Sequence, residues 1–247
     1  MIRIDHRADI GFLTLARPDA RNALTPTMLR DLAASAADLG SRSRAILLAG
    51  EGAAFCAGFD LNLCRDDPSG DTLRSLLRGL SDAILSLRNQ PAPVIACVQG
   101  AAVAGGCALL GGADIVIASA EARLGYPVTK LGISPSVSTP FLFSSVDAGP
   151  TRSLQLDPGL ISTAEGHRIG LVGEVLPDPA AALARATQIA SEIGSKPPQA
   201  ISATRRLLQE LTGPTDALAS VGLARSLGLV GGPEERVLLP KAWAGRS

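Results

Sequence analysis

From Asn89 to Ala113 the chain carries no charged residue. An uncharged run of this length can cross a bilayer as one helix or disappear into the core of a folded domain. Here Pro91, Pro93, Gln99 and five glycines interrupt it. It divides into a strand at Val94 to Val98, a turn and a short helix, so a buried strand–turn–helix is the better account. Arg44 to Ala49 and Asp114 to Ala118 are further short, continuous apolar runs, the pattern of strands covered on both faces.

Helical spacing separates these runs. Pro26 suits the first turn of a helix, where its missing N–H costs nothing. Met28, Leu29, Leu32, Ala33, Ala36 and Leu39 then supply one apolar face, with Gly40 as the expected stop. Leu73 to Leu87 repeats the helical pattern, and Asp9 to Ala16 reads as the first strand. Strand, helix, strand, helix at this spacing predicts an α/β fold with crossover connections. Beyond Gly132, Ser162 to Gly170 and Pro179 to Gly194 read as helices with a short strand near Leu171 to Leu176 between them. Pro197-Pro198 opens another helix through Leu211, and the last ~35 residues read as helical.

The 247 residues are 46% hydrophobic, enough for a sizeable core and one default domain. Aromatics make up 3%, so Ala, Leu and Val must do most of the packing. Net charge is zero with Lys and Arg scattered, which speaks against sequence-independent nucleic-acid binding, since that needs a concentrated basic patch. Cys56, Cys64, Cys97 and Cys107 form no C-x-x-C pair, and only two histidines are present, so no metal site is expected. Small apolar neighbours around three of the thiols favour reduced, buried cysteines and a cytoplasmic setting. The mixed charges of the first seven residues do not suit a targeting segment, and no membrane association is expected.

Two small-residue loops directly follow buried strands: Gly50 to Asp60, and Gln99 to Cys107. In open α/β sheets ligands gather outside the carboxyl ends of strands, and glycine lets backbone approach them. Two such loops can present free N–H groups toward one spot.

At this point the residues carry a resemblance. Arg21-Asn-Ala-Leu24, Phe55-Cys-Ala-Gly-Phe-Asp60, Ala104-Gly-Gly-Cys107, Leu124-Gly-Tyr-Pro127, Leu131-Gly-Ile133, Ile161-Ser-Thr-Ala-Glu165 and Gly170-Leu-Val172 fall in the order and spacing of the crotonase superfamily, the enoyl-CoA hydratase/isomerase family. The match spans roughly residues 9 to 210. The resemblance implies a ββα spiral core at 1–190 holding an acyl-CoA site, and a helical trimerisation and cover region at 191–247, in homotrimers or hexamers. It implies acyl-CoA chemistry of lipid metabolism, with the CoA thioester as ligand and no permanently bound cofactor. It also implies an oxyanion hole built from the backbone N–H groups of Ala57 and Gly105, stabilising an enolate-like thioester by about 3 kcal/mol per donor, with the dipole of the helix that Gly105 opens adding to it. Arg21, Ala23, Gly58, Phe59, Asp60 and Gly106 fall at CoA- or substrate-binding positions. Arg21 would lie near the CoA phosphates and Ala23 near the adenine, while Asp60 is expected to cap local backbone amides.

The sequence departs from the family where it matters most. The two glutamates of a hydratase would fall at positions 108 and 128, and this chain has Ala108 and Val128. Neither can move a proton, a contribution worth about 10²–10⁴ in rate. Isomerase, decarboxylase or hydrolase chemistry is therefore favoured over hydration, with non-catalytic acyl-CoA binding as the alternative. Tyr126 falls in the acyl pocket, either as a catalytic hydrogen-bond donor or acid or as plain pocket wall. Cys107 reads as an inert buried thiol, and His6 and His167 as surface residues.

Overall fold

Strand β2 (Ile10–Leu15) pairs antiparallel with β1 (Ile2–Arg7) and parallel with β3 (Ala45–Gly50). Parallel pairing continues through β4 (Val94–Val98), β6 (Ile115–Ser119) and β9 (Glu174–Leu176), giving a six-stranded sheet in the order β1-β2-β3-β4-β6-β9. A second sheet of three short strands, β5 (Ala101–Val103), β7 (Arg123–Gly125) and β8 (Leu160–Ser162), stands beside it. The helices are α1 (Pro26–Arg42), α2 (Asp71–Arg88), α3 (Gly105–Leu109), α4 (Thr139–Leu142), α5 (Ala148–Leu156), α6 (Thr163–Arg168), α7 (Pro179–Gly194), α8 (Pro198–Thr212), α9 (Asp216–Leu227) and α10 (Pro233–Leu238). This architecture is that of a computed structural model, which describes residues 1–157, 159–213 and 216–241.

The parallel strands are apolar on both faces because both faces are covered. Ile46 and Leu48 of β3 turn toward α1 and α2, joining Leu29, Leu32, Leu76 and Leu80. Ala45 and Leu47 turn the other way, onto Ala182, Ala186 and Ala190 of α7. Three alanines at four-residue spacing make one face of that helix, so it can approach the sheet closely. This is the fine-grained packing that a chain poor in aromatics requires.

The α/β fold with crossover helices is as the sequence predicts, and several details differ. Helix α1 runs through Gly40 to Arg42. Gly40 is buried there because a Cβ would overlap the Gln90 side chain, so this glycine serves packing and not termination. Strand β1 was not anticipated, because five of its six residues are exposed; His6 lies inside it and not ahead of the first strand. The three-residue strands of the second sheet are too short to show a period. The boundary drawn after residue 190 falls within α7, which packs against the sheet as far as Gly194. The helical expectation for the tail is met by α8, α9 and α10, while its part at 242–247 lies outside the described residues. Among those described, no helix is long and apolar enough to cross a membrane.

Candidate active site

The two loops leaving β3 and β4 are tied together by backbone. Phe55 N–H donates to the Gln99 carbonyl at 2.8 Å, Cys56 N–H to Ala101 at 2.9 Å, and Val103 N–H to Cys56 at 3.0 Å. Asn22 completes the frame. Fully buried, it accepts from Arg17 N–H at 2.8 Å and donates from Nδ2 to the carbonyls of Glu51 and Ala54. A buried amide satisfied on both ends fixes a loop firmly. Two glycines allow the close approach: a Cβ at Gly100 would collide with the Ala53 carbonyl, and one at Gly106 with the Cys56 carbonyl.

Where the free amides lie corrects the sequence expectation. Ala57 N–H is not available, because it donates to the Arg21 carbonyl at 3.0 Å. Two residues on, Phe59 forms a parallel bridge with Leu24, in which Leu24 N–H reaches the Gly58 carbonyl and Asp60 N–H reaches the Leu24 carbonyl. The central residue of such a bridge directs its own N–H to the opposite side. Gly58, at φ +91°, makes the turn between the two registers. Phe59 N–H therefore points away from Leu24 and has no backbone acceptor among the described residues. Gly105 N–H is free for a different reason: it opens α3, where the first amides have no intrahelical acceptor. The residue before it, Ala104, holds φ 52°, ψ −114°, a strained conformation for a residue with a Cβ. The Phe59 ring sits against Gly105, 3.1 Å from where a Cβ would be. With only five residues, α3 offers little of the dipole that the sequence suggested.

Both residues line one cavity of about 130 Å³, together with Ala57, Leu61, Leu77, Leu80, Ala108, Tyr126, Val128, Ile133, Val137 and Ser138. Ala108 and Val128 thus share one pocket, as their motif positions imply, and neither brings a carboxylate. Among the described residues, Tyr126 is the one ionisable side chain on the wall. Its hydroxyl faces Ser138 and the Cys107 thiol, and burial pushes the phenol well above its usual range. It is a hydrogen-bond donor and not a base at any physiological pH. Burial likewise pushes the Cys107 thiol up to about 11 and Cys56 up to about 12, so neither thiolate forms near neutrality.

The remaining predicted residues group around the rim. Asp60 does not cap backbone amides; Arg17 holds its carboxylate at 3.0 Å. Arg17 also donates to the Ala23 carbonyl at 2.5 Å, and Ala23 N–H is taken by Ala20, leaving Ala23 only a spare carbonyl lone pair. Arg17 was not singled out in the sequence, although its neighbour Arg21 was. Arg21 is exposed, in a left-handed turn, and in no ion pair among the described residues. His6 and His167 are exposed and bond to the Arg42 and Val172 carbonyls, on strand β1 and helix α6.

Known proteins resemble this chain over most of its length. The sequence model of the Enoyl-CoA hydratase/isomerase family matches residues 5–220. An enoyl-CoA hydratase of Mycobacterium tuberculosis, EchA19, is 34% identical over 212 residues, covering 84% of this chain and 79% of that protein. The 1,2-epoxyphenylacetyl-CoA isomerase of Escherichia coli is 34% identical over 192 residues, covering 75% and 72%. A crystal structure of an enoyl-CoA hydratase/isomerase from Xanthobacter autotrophicus superposes with a TM-score of 0.86 at 28% identity, over 100% of this chain and 97% of the other. With paired loops, a shared apolar pocket and this breadth of similarity, the chain belongs to the enoyl-CoA hydratase/isomerase family.

Proposed function

We propose that this protein binds an acyl-CoA thioester with its carbonyl oxygen between the N–H groups of Phe59 and Gly105, and that its chemistry is of the decarboxylase type. The observation that carries the proposal is a pocket with two unengaged amides and, among the described residues, no carboxylate, imidazole or amine on its wall. Hydration, and isomerisation by proton shuttling, each need a side chain that takes a proton. Loss of CO2 from a 2-carboxyacyl-CoA does not. The bond from Cα to the carboxylate breaks, its electron pair becomes the enolate, and the oxyanion hole receives the charge. A proton from solvent then completes the acyl-CoA product. A water-poor apolar wall disfavours the carboxylate of the substrate more than the dispersed charge of the transition state.

Arg21, exposed at the rim, would meet the CoA phosphates. Exposed Leu207, Leu208 and Leu211 on α8 fit the homotrimer or hexamer that the family resemblance implies. The test is to supply malonyl-class 2-carboxyacyl-CoA thioesters and follow CO2 release beside calorimetric binding. Release that follows protein concentration supports the proposal, with Arg21→Ala weakening binding by a salt-sensitive factor of about 3–10. Tight binding with no release from any of them would identify an acyl-CoA-binding protein without turnover.

A further inference from the structure

The walls of the pocket differ in what lies behind them. Leu77 and Leu80 of α2 are 1% and 2% exposed, so their outer sides are as tightly packed as the sides that line the cavity. Another part of the wall is the turn containing Ser134, Pro135, Val137 and Ser138, which would have to give way for a longer ligand to extend on that side. Helix α9 prevents that. Ser226, 1% exposed, accepts from Val137 N–H at 2.9 Å and donates to the Ser134 carbonyl at 3.1 Å. One turn earlier, Gly222 lets α9 come so close that a Cβ would stand 2.5 Å from the Ser136 carbonyl. The turn is therefore pinned from behind by the tail of the same chain.

The space so enclosed is small. Its volume of about 130 Å³ lies below the ~300 Å³ at which ligand pockets usually begin. We infer that the pocket selects short acyl groups over long ones, and that Leu77, Leu80 and the Ser226-pinned turn set this limit. The inference rests on the acyl-CoA reading of the site. A longer chain would have to expel a packed leucine or break both bonds of Ser226. Ser226 touches no ligand in this scheme and acts as a positioning residue.

The experiment is a calorimetric series of acetyl-, butyryl-, octanoyl- and dodecanoyl-CoA on the wild type, Leu80→Ala and Ser226→Ala. Butyryl-CoA is expected to bind tightest to the wild type, with octanoyl-CoA weaker by about tenfold or more. Leu80→Ala should restore most of that factor for octanoyl-CoA while changing acetyl-CoA little. Ser226→Ala should flatten the length profile, whereas a general structural defect would weaken all four ligands alike. Equal or tighter binding of octanoyl- and dodecanoyl-CoA by the wild type overturns the length limit and leaves the acyl-CoA reading standing. Failure of all four to bind overturns both.

Discussion

Where α8 docks, Arg205 is 5% exposed, and its guanidinium donates to Asp114 at 2.8 Å and to the carbonyls of Leu87, Arg88 and Gln90. In the pocket, the two positions to which the family resemblance assigns carboxylates hold a buried Ala108 and a partly buried Val128. The same fold thus buries charge readily at one place and excludes it at another. Burying an ion is tolerable only when partners surround it, and at Arg205 each guanidinium nitrogen has at least one. Beyond the two free amides of Phe59 and Gly105, the wall of the pocket offers a charged side chain only hydroxyls and apolar groups. A neutral pocket is consequently a property of this site and not a limit of the fold.

The contrast breaks most visibly if the pocket hydrates a double bond after all. Without the two proton-transferring groups, crotonyl-CoA hydration should fall at least about 10⁴-fold below the ~10 s⁻¹ typical of enzymes, measured by loss of enoyl absorbance. A rate near the typical value would mean that another residue supplies the base.

At the charged site, Arg205→Ala should cost about 3 kcal/mol, because it leaves Asp114 partly buried and takes the guanidinium from the Leu87 and Gln90 carbonyls, while the Arg88 carbonyl keeps Gln209 Nε2. Thermal or urea unfolding reads this directly, and a loss under about 1 kcal/mol would show the anchor to be dispensable.

The thiols sharpen the contrast from the alkaline side. Cys56 and Cys107 are raised from the ordinary 9.0 to about 12 and about 11. Above pH 9 the unfolded chain therefore loses these protons while the folded chain keeps them. Stability is complete below pH 9 and declines as pH rises toward 11–12, by about 1.4 kcal/mol per pH unit for each thiol. Melting temperatures at pH 8 and pH 10 should differ accordingly, and the slope should lessen in Cys107→Ala.

The smallest expected effect belongs to Tyr126→Phe. Removing a neutral hydroxyl that faces Ser138 and Cys107 should lower stability by about 1 kcal/mol. If the phenol also orients the substrate, turnover of a 2-carboxyacyl-CoA should fall about tenfold with KM little changed. Unchanged turnover would leave it as pocket wall.

The site was legible in the sequence as far as its loops and its missing glutamates. Small residues after buried strands mark where backbone comes close, and Ala108 and Val128 lack an ionisable group whatever surrounds them. Which amide is free was not legible. Ala57 and Phe59 sit two residues apart in one motif, and only the bridge to Leu24 and the bond to Arg21 distinguish them. Ser226 gave no signal either, since it lies 89 residues from the Val137 amide that it holds.

What the sequence determined by itself was local and periodic. The continuous apolar runs of β3, β4 and β6 and the spacing of α1, α2 and α7 specify strands and helices, because burial on one or two faces leaves its period in the chain. What tertiary structure decided was orientation. In α8 the apolar stripe of Leu207, Leu208 and Leu211 faces outward, 54–72% exposed, while the charged Arg205 turns in. An amphipathic helix normally buries its leucines. Five guanidinium bonds to Asp114 and three carbonyls reverse that preference here, and those partners come together only when the chain has folded.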